Sequence, residues 1–586
     1  MCYLVRAVPD IVIGARRPSH HRTLRGAAIA VALSAVTLLV GYFIYLRVVS
    51  YTEPSVDIPA ERIVVTGIGR ATGSGANRLT FGQSSLTYSG AIAVLRSSGT
   101  PRDIGGAHGR LLDERLGAPV DALAATIRHA IPAEGLFARL VHGMRLRWRY
   151  RLVEDGIPGH QLTEIATVLR GMQRWSGSTP DYETFVRQQA ALDIGVAAPW
   201  SSGAAFRAVT RSLSFVSELR GPGGDRLFVG RSFALPGAGD GGDSAAAAIT
   251  VSFVHADSVI PFASIGWPGL VGVVSGVNAE GIAVMVHPVR TSDIAVTRNA
   301  QPVTLMARDI LENARTLNEA IAIAQHATPL GAAAFVIADG SARRWAVVER
   351  SPTRFAVARD MQPCAVTDIL TADPFEDDAD NDRARRIRPA SMRRKRVRAL
   401  LRRRAEAPGD YAAMLRDHRD AEGAPLPPGH RGAVYDASAV HAALFDVSGM
   451  VLWVADRADA RARFRAFDLR HELRGEGVHP APPADLAPAG QDHDSASLRV
   501  RRARNHLRQA RQSWRDGDRE RAGEQIARAL THAPSLPEAL HLAGNLAADL
   551  GDHDRARHYY QLFMNTQPDD LNAAQKIRAT LKIAAE

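Results

Sequence analysis

The chain has almost no cysteine. Cys2 and Cys364 are the only two among 586 residues, which excludes a disulfide framework and a cysteine-built zinc cluster. Lysine is nearly as scarce: Lys395, Lys576 and Lys582 are the three lysines in a basic total of 72, so the cations are arginines. Aromatic residues make up 6% of the chain, and none falls within Arg383–Arg404, where twelve basic residues occur with no acidic one. A groove that tracks nucleic acid interleaves aromatics with its cations, so no nucleic-acid partner is expected. That run alone exceeds the formal net charge of +11, which leaves the rest near neutral. Asp373–Asp382 carries six acids just ahead of it, and the pair reads as a solvated helix facing its own acidic loop. There is no Gly-x-Ser-x-Gly elbow, phosphate loop or His-Glu-x-x-His pattern. His20-His21 is too sparse for a metal site, and no metal or cofactor is expected.

Long hydrophobic runs are also few, and the one present organises the chain. Gly26–Leu46 is 21 residues without a charge, enough at about 1.5 Å per residue to cross a hydrocarbon core of about 30 Å. Five arginines and one acid, Asp10, precede it. The excess of positive charge predicts residues 1–25 in the cytoplasm, 26–46 as an uncleaved signal anchor and the bulk of the chain on the periplasmic or extracytoplasmic side. Cys2 and Cys364 are then on opposite sides and cannot pair.

The remaining length suggests roughly three to five units at about 100–200 residues each. Residues 107–190 have helical spacing, as in Leu162, Ile165, Val168 and Leu169. From 226 to 290 glycine-separated strands take over: Leu227-Phe-Val-Gly230, Ala247 to Val254, Gly272 to Val277 and Gly281 to His287. One helix is expected near Val303 to Ala327. Strands follow at Ala333 to Ala338, Trp345 to Glu349, Val440 to Asp446 and Met450 to Ala455. A domain over 50–475 then ends in a Pro/Ala linker, 476–495. In 496–586, Gly517-Asp518 recurs as Gly551-Asp552, Ala522 as Ala556 and Pro534 as Pro568, each 34 residues on. That is the tetratricopeptide period, so helical hairpins offering a surface to a protein partner are expected.

Several stretches of the middle domain resemble one family when taken in order and spacing. They are Gly105-Gly-Ala-His108-Gly109, Leu227-Phe-Val-Gly230-Arg231-Ser232-Phe233, Trp267 through Asn278 to Gly281, and Val451-Leu-Trp453 with Phe467-Asp-Leu. Together they look like the acyl-coenzyme A:6-aminopenicillanate acyltransferase family of autoproteolytic N-terminal-nucleophile hydrolases, over roughly residues 55–470. The resemblance implies an α+β fold, an αββα sandwich of two antiparallel sheets between helix layers. It also implies a precursor that cuts itself before its nucleophile. The freed α-amine, with a pKa near about 8, then serves as general base. Active members attack a small-molecule amide or acyl thioester and pass the acyl group to water or an amine.

Position by position, the resemblance assigns three site residues. The family's nucleophilic cysteine lies about 18 residues before the glycine of Gly-Arg-Asn-Phe-Asp, and that count back from Gly230 reaches Ser212 in Arg211-Ser212-Leu213-Ser214-Phe215. His287 stands where the strand after Gly281 closes on asparagine. Arg394, after Ser391, stands where the family has an arginine. Other positions depart: the motif's last carboxylate reads Ala234, and a Thr-Asn-His triplet reads Thr367-Asp368-Ile369. Two readings stay open. One is a membrane-anchored amide hydrolase or acyltransferase with Ser212 as nucleophile, cut between Arg211 and Ser212. The other is a non-catalytic pseudoenzyme acting as a scaffold through its repeats. His108 reads as a packing or capping residue of a Gly-rich turn, His441 as a core residue able to line the cleft, and Cys364 as a small buried hydrophobe.

Overall fold

Inward and outward residues alternate along the strands, and this alternation builds a four-layer molecule. The computed structural model describes residues 20–57, 61–67, 77–117, 119, 123, 127, 135–172, 180–196, 211–221, 224–235, 249–293, 299–387, 389–456, 459–476, 483–490, 494–568 and 570–583. The chain divides into two units, Met1–Ser50 and Tyr51–Glu586.

The first unit is a helix, His20–Val49. Within it Ile29–Val49 has mean hydropathy 2.2 over 21 residues, the one described helix long and apolar enough to cross a membrane. This stretch overlaps the Gly26–Leu46 run read from charge, and the helix continues through Arg47 without interruption.

In the second unit the strands are, in chain order, β1 (Val64–Gly67), β2 (Asn77–Phe81), β3 (Ser84–Ser89), β4 (Ile92–Gly99), β5 (Arg211–Leu219), β6 (Arg226–Ala234), β7 (Thr250–Ala256), β8 (Phe262–Gly266), β9 (Ser275–Asn278), β10 (Ile282–Val289), β11 (Ala300–Gln301), β12 (Thr328–Pro329), β13 (Ala332–Asp339), β14 (Arg344–Arg350), β15 (Phe355–Arg359), β16 (Cys364–Thr367), β17 (His441–Asp446), β18 (Val451–Ala455) and β19 (Phe464–Asp468). One sheet runs β1-β2-β3-β4-β7-β8-β9-β10-β13-β14-β15. All its neighbours are antiparallel except β4 and β7. The facing sheet runs β16-β5-β6-β17-β18-β19, antiparallel throughout.

The inner faces of the two sheets meet in one apolar core. Val251, Phe253, Ile265, Val277, Ala283 and Met285 from the larger sheet pack on Val216, Leu227, Val229, Ala443, Phe445 and Val454 from the smaller. At about 1.5–3 kcal/mol per fully buried large aliphatic side chain, this layer is a main source of stability. The outer face of the larger sheet is covered by helices Val303–Asn313 and Leu317–His326. The outer face of the smaller sheet is covered by helices Ala390–Leu401 and Pro408–Leu415. The order is therefore helix, sheet, sheet, helix, the αββα sandwich.

Three local readings are revised. The single helix expected over 303–327 is two, because Thr316 caps a second helix by accepting from the Glu319 amide while Asp339 accepts from the Leu317 amide. The glycines of 105–109 lie in a helix, Pro101–Leu111, and not in a turn. A Cβ at Gly109 would lie 2.3 Å from the Val168 carbonyl oxygen, so glycine admits the neighbouring helix Gly159–Gly171. The basic run is not simply solvated. Arg393 and Arg396 are buried and pair with Asp368 and Asp417, while Asp378 and Asp380 of the acidic loop pair with Arg354 and Arg290.

Beyond the linker, helices Asp494–Arg515, Arg519–His532, Pro537–Asp549, His553–Asn565 and Leu571–Ile583 pack in sequence. The repeated landmarks repeat in geometry. Asp518 and Asp552 each cap a helix by accepting from the amide three residues on, and Ala522 and Ala556 are both buried.

Candidate active site

At one end of the sandwich the inward positions stop being apolar. On β5 the inward residues run Val216, Ser214, Ser212; on β6 they run Leu227, Val229, Arg231, Phe233; on β10 they run Ala283, Met285, His287. β9 adds Ser275 and β17 adds His441. Register brings them together, since Ser214 lies opposite Arg231 and Phe233 lies opposite both Ser212 and His441. Ser212, Ser214, Arg231, Ser275, His287 and His441 are all fully buried.

Arg231 is the centre of this layer. Its Nε donates to Ser275 Oγ (3.1 Å), and its Nη1 to Ser214 Oγ (3.2 Å) and His287 Nε2 (2.9 Å). Its Nη2 donates to the Val286 carbonyl oxygen (2.5 Å). Every one of these partners is neutral. Burial alone pushes its pKa down to about 9. The guanidinium also lies 4.9 Å from the Phe233 ring centroid.

That arrangement sets the tautomer of His287. Arg231 Nη1 lies 2.9 Å from Nε2 and 3.4 Å from Nδ1, and Ser214 Oγ lies 2.9 Å from Nε2. A guanidinium only donates, so the closer contact assigns Nε2 as the acceptor and leaves Nδ1–H to donate to Ser212 Oγ at 2.8 Å. Burial, then the Arg231 and Arg393 charges, hold His287 well below the usual histidine range. His287 therefore orients the Ser212 hydroxyl and does not take its proton. Ser275 Oγ stands 2.9 Å from His441 Nε2. Burial and Arg231 keep His441 neutral too.

Beside Ser212 the lining turns apolar. Phe233 stacks on His441 (5.5 Å) and on Trp267 (6.3 Å), with Leu192, Leu235, Val274 and Val440 around them. His441 Nδ1 and Trp267 Nε1 are buried there without a hydrogen-bond partner. A buried polar atom left unpaired costs about 1–3 kcal/mol, so these two atoms are unsatisfied positions of this apolar lining.

The structure thus brings Ser212 and His287 together and leaves Arg394 apart. Arg394 donates to the Ala365 carbonyl (3.1 Å) and Thr371 Oγ1 (3.4 Å). Arg393, one residue earlier, is the one whose charge reaches His287. Arg231 and Ser275 were not singled out from sequence, although Arg231 shares the parity of Leu227 and Val229, a signal for an inward cation. His441 belongs to the cluster. His108 accepts from the Gly269 amide (2.8 Å), with its pKa pulled down to about 4 by burial and then by Arg308. Cys364 is buried opposite Val216 with its thiol pushed up to about 12. Away from the cluster, His160, Asp309 and Glu312 place ligand atoms within 4.8 Å of one another, but Glu312 is paired with Arg308 and His160.

Comparison with known proteins adds a family. Residues 246–459 match the family model of acyl-coenzyme A:6-aminopenicillanic acid acyl-transferase; the match begins downstream of Ser212 and Arg231. No curated protein matches. Among solved structures, the chain is similar to a Caenorhabditis elegans ortholog of N-acylethanolamine-hydrolyzing acid amidase, at 14% identity and TM-score 0.29, covering 40% of this chain and 93% of that one. A mutant conjugated bile acid hydrolase from Clostridium perfringens gives 12% identity and TM-score 0.29, covering 48% and 99%.

Proposed function

Taking as premise that residues 246–459 belong to the acyl-coenzyme A:6-aminopenicillanic acid acyl-transferase family, we propose that this chain is a self-cleaving amide hydrolase or acyltransferase with Ser212 as nucleophile. The observation that carries this reading is Ser212 Oγ held by His287 Nδ1–H beside an arginine whose charge no carboxylate neutralises. In self-cleavage, Ser212 Oγ attacks the Arg211 carbonyl carbon, the Oγ proton passes to the Ser212 nitrogen as the peptide C–N bond breaks, and Arg211 is left on Oγ as an ester. Water then hydrolyses that ester to an Arg211 carboxylate and a Ser212 hydroxyl bearing a free α-amine. The amine supplies the base that His287, as donor, does not. It takes the Oγ proton as Oγ attacks a substrate carbonyl and returns it to the leaving amine or thiol. The acyl-serine ester passes to water or an acceptor amine. Arg231 favours the negative charge that develops on the carbonyl oxygen. Phe233, Trp267 and Val274 suit an apolar acyl group, with His441 Nδ1 and Trp267 Nε1 available to its polar atoms. Arg394 is left with a structural role.

The apolar N-terminal helix serves in this reading as a single-span anchor, with residues 1–25 cytoplasmic and 51–586 extracytoplasmic, on the charge asymmetry across it.

A second reading, a non-catalytic relative, draws on the complete burial of Ser212 and its continuity with Arg211 in β5. Intact mass and N-terminal sequencing of the full chain decide between them. Two fragments, the second beginning at Ser212, with a single chain for Ser212→Ala, are expected. An uncut wild-type chain would leave no α-amine and would favour the second reading.

A further inference from the structure

The C-terminal helices are not a free arm: they grip a segment of their own chain. Gly429–Ser438 lies along the first helix of each hairpin. A Cβ at Gly429 would sit 2.7 Å from Val500 Cγ1 and 2.9 Å from Leu536 Cδ1. Arg504 Nη2 donates to the Gly429 carbonyl (2.8 Å) and Arg501 Nε to the Ala437 carbonyl (3.0 Å). Tyr435 Oη meets Ser497 Oγ (2.5 Å), His430 Nε2 meets the Gln567 carbonyl (2.6 Å), and Arg431 pairs with Glu538.

The same segment holds the residue before the proposed nucleophile. Arg211 Nε donates to Asp436 Oδ2 at 2.7 Å, and its Nη2 donates to Ser438 Oγ. Arg504 Nη1, from the first C-terminal helix, donates to that same Ser438 Oγ at 3.2 Å, and its Nε to Glu538 Oε1 at 2.6 Å. Arg504 and Asp436 are almost wholly enclosed. Two arginines, one from β5 and one from the first C-terminal helix, therefore converge on one hydroxyl and one carboxylate. Charge-assisted contacts of this kind, shut away from water, fix geometry more firmly than surface pairs do.

We propose that the C-terminal helical hairpins take this chain's own 429–438 segment as their ligand and, through Asp436 and Ser438, position Arg211 for cleavage of the Arg211–Ser212 bond. The cleavage half of this rests on the reading of Ser212 as nucleophile; the docking half does not. The repeats thus act inward on the site. Arg504, Asp436 and Ser438 are positioning residues, acting through Arg211 and not on a substrate.

The test uses the full chain as wild type, Arg504→Gln, Ser438→Ala and, as a control on an exposed pair of the same helices, Arg519→Gln. Hydrogen exchange is followed in peptides covering 211–219 and 429–441, together with the cut fraction over time. Loss of the Arg504 link is expected to speed exchange in both peptides by about tenfold and to slow cleavage by a similar factor. Ser438→Ala should act in the same direction with the helices' own packing intact, and Arg519→Gln should match wild type. Exchange and cleavage both unchanged in Arg504→Gln and Ser438→Ala would overturn the proposal while leaving self-cleavage standing. Should wild type prove uncut, the cleavage half falls with the reading it rests on. The exchange arm then decides docking alone: faster exchange in both peptides upholds it, unchanged exchange overturns it.

Discussion

Arg231 and Arg308 are the two largest fully buried side chains among the described residues, and their surroundings treat the charge in opposite ways. Arg308 is gripped by Glu164 through both terminal nitrogens (2.9 and 2.6 Å) and by Glu312 (2.7 Å). These partners outweigh burial and raise its pKa. Arg231 has hydroxyls, an imidazole and carbonyls around it, and burial lowers its pKa. Arg308 ties helix Gly159–Gly171 to helix Val303–Asn313, so its charge is spent within the scaffold. The charge of Arg231 stays unneutralised beside His287, which holds Ser212, where the proposed acyl transfer needs one.

Removing each arginine tests that division. Arg308→Met takes the guanidinium from the buried Glu164 carboxylate and leaves Glu312 with His160 alone. It is expected to cost about 3–5 kcal/mol, read as a lowered urea midpoint, without shifting the cleavage point in whatever fraction folds. Arg231→Met is expected to slow self-cleavage about 10²–10³-fold. Its stability should fall by only about 1 kcal/mol, since relief of a desolvated charge offsets the orphaned Val286 carbonyl. A stability loss as large as that of Arg308→Met, with cleavage unaltered, would make Arg231 a second scaffold residue and remove the distinction.

Burial, reinforced by the nearby arginine, keeps histidines neutral beside each of them, which gives the comparison a pH signature. His108, near Arg308, has a folded pKa of about 4 against the ordinary 6.5. Its contribution is full above pH 6.5 and is lost as pH falls toward 4, about 3 kcal/mol in all. His108→Gln should flatten that window in a stability-versus-pH series. His287 and His441 lie well below the ordinary value. They add loss in the same direction below pH 6.5, up to about 1.4 kcal/mol per pH unit each. Since burial lowers both more than the Arg231 charge does, Arg231→Met should shallow this slope without abolishing it.

Much of this arrangement is written in local patterns. Parity on β6 and β10 turns Arg231 and His287 toward the core, and the 34-residue recurrence marks the capped C-terminal helices. What local pattern does not carry is pairing across distance. Nothing near Ser275 announces His441, and nothing near Arg211 announces Arg504. Helix propensity argues against Gly105–Gly109 as a helix, yet close approach to Gly159–Gly171 overrides it. In the basic run, arginines at 393, 394, 396 and 398 make every register plausible from sequence, so only the packing distinguishes them.

The smallest predicted effect lies in that run. Arg393 is buried and held by Asp368 Oδ1 at 2.6 Å, and its field bears on His287. Arg394 is half-buried, with an ordinary contact to a carbonyl at 3.1 Å and a long one to a threonine at 3.4 Å, and neither partner is charged. Arg393→Gln removes the cation that faces the buried Asp368 carboxylate and should cost about 3 kcal/mol. Arg394→Gln should cost about 1 kcal/mol or less and leave self-cleavage within about twofold, because its long stem can keep most of its packing as glutamine. Cleavage rates of the two variants, compared at equal folded fraction, separate the assignments. A loss confined to Arg394→Gln would mean that its guanidinium reaches the reacting bond after all, and that the unneutralised charge of the site is shared between two arginines and not held by Arg231.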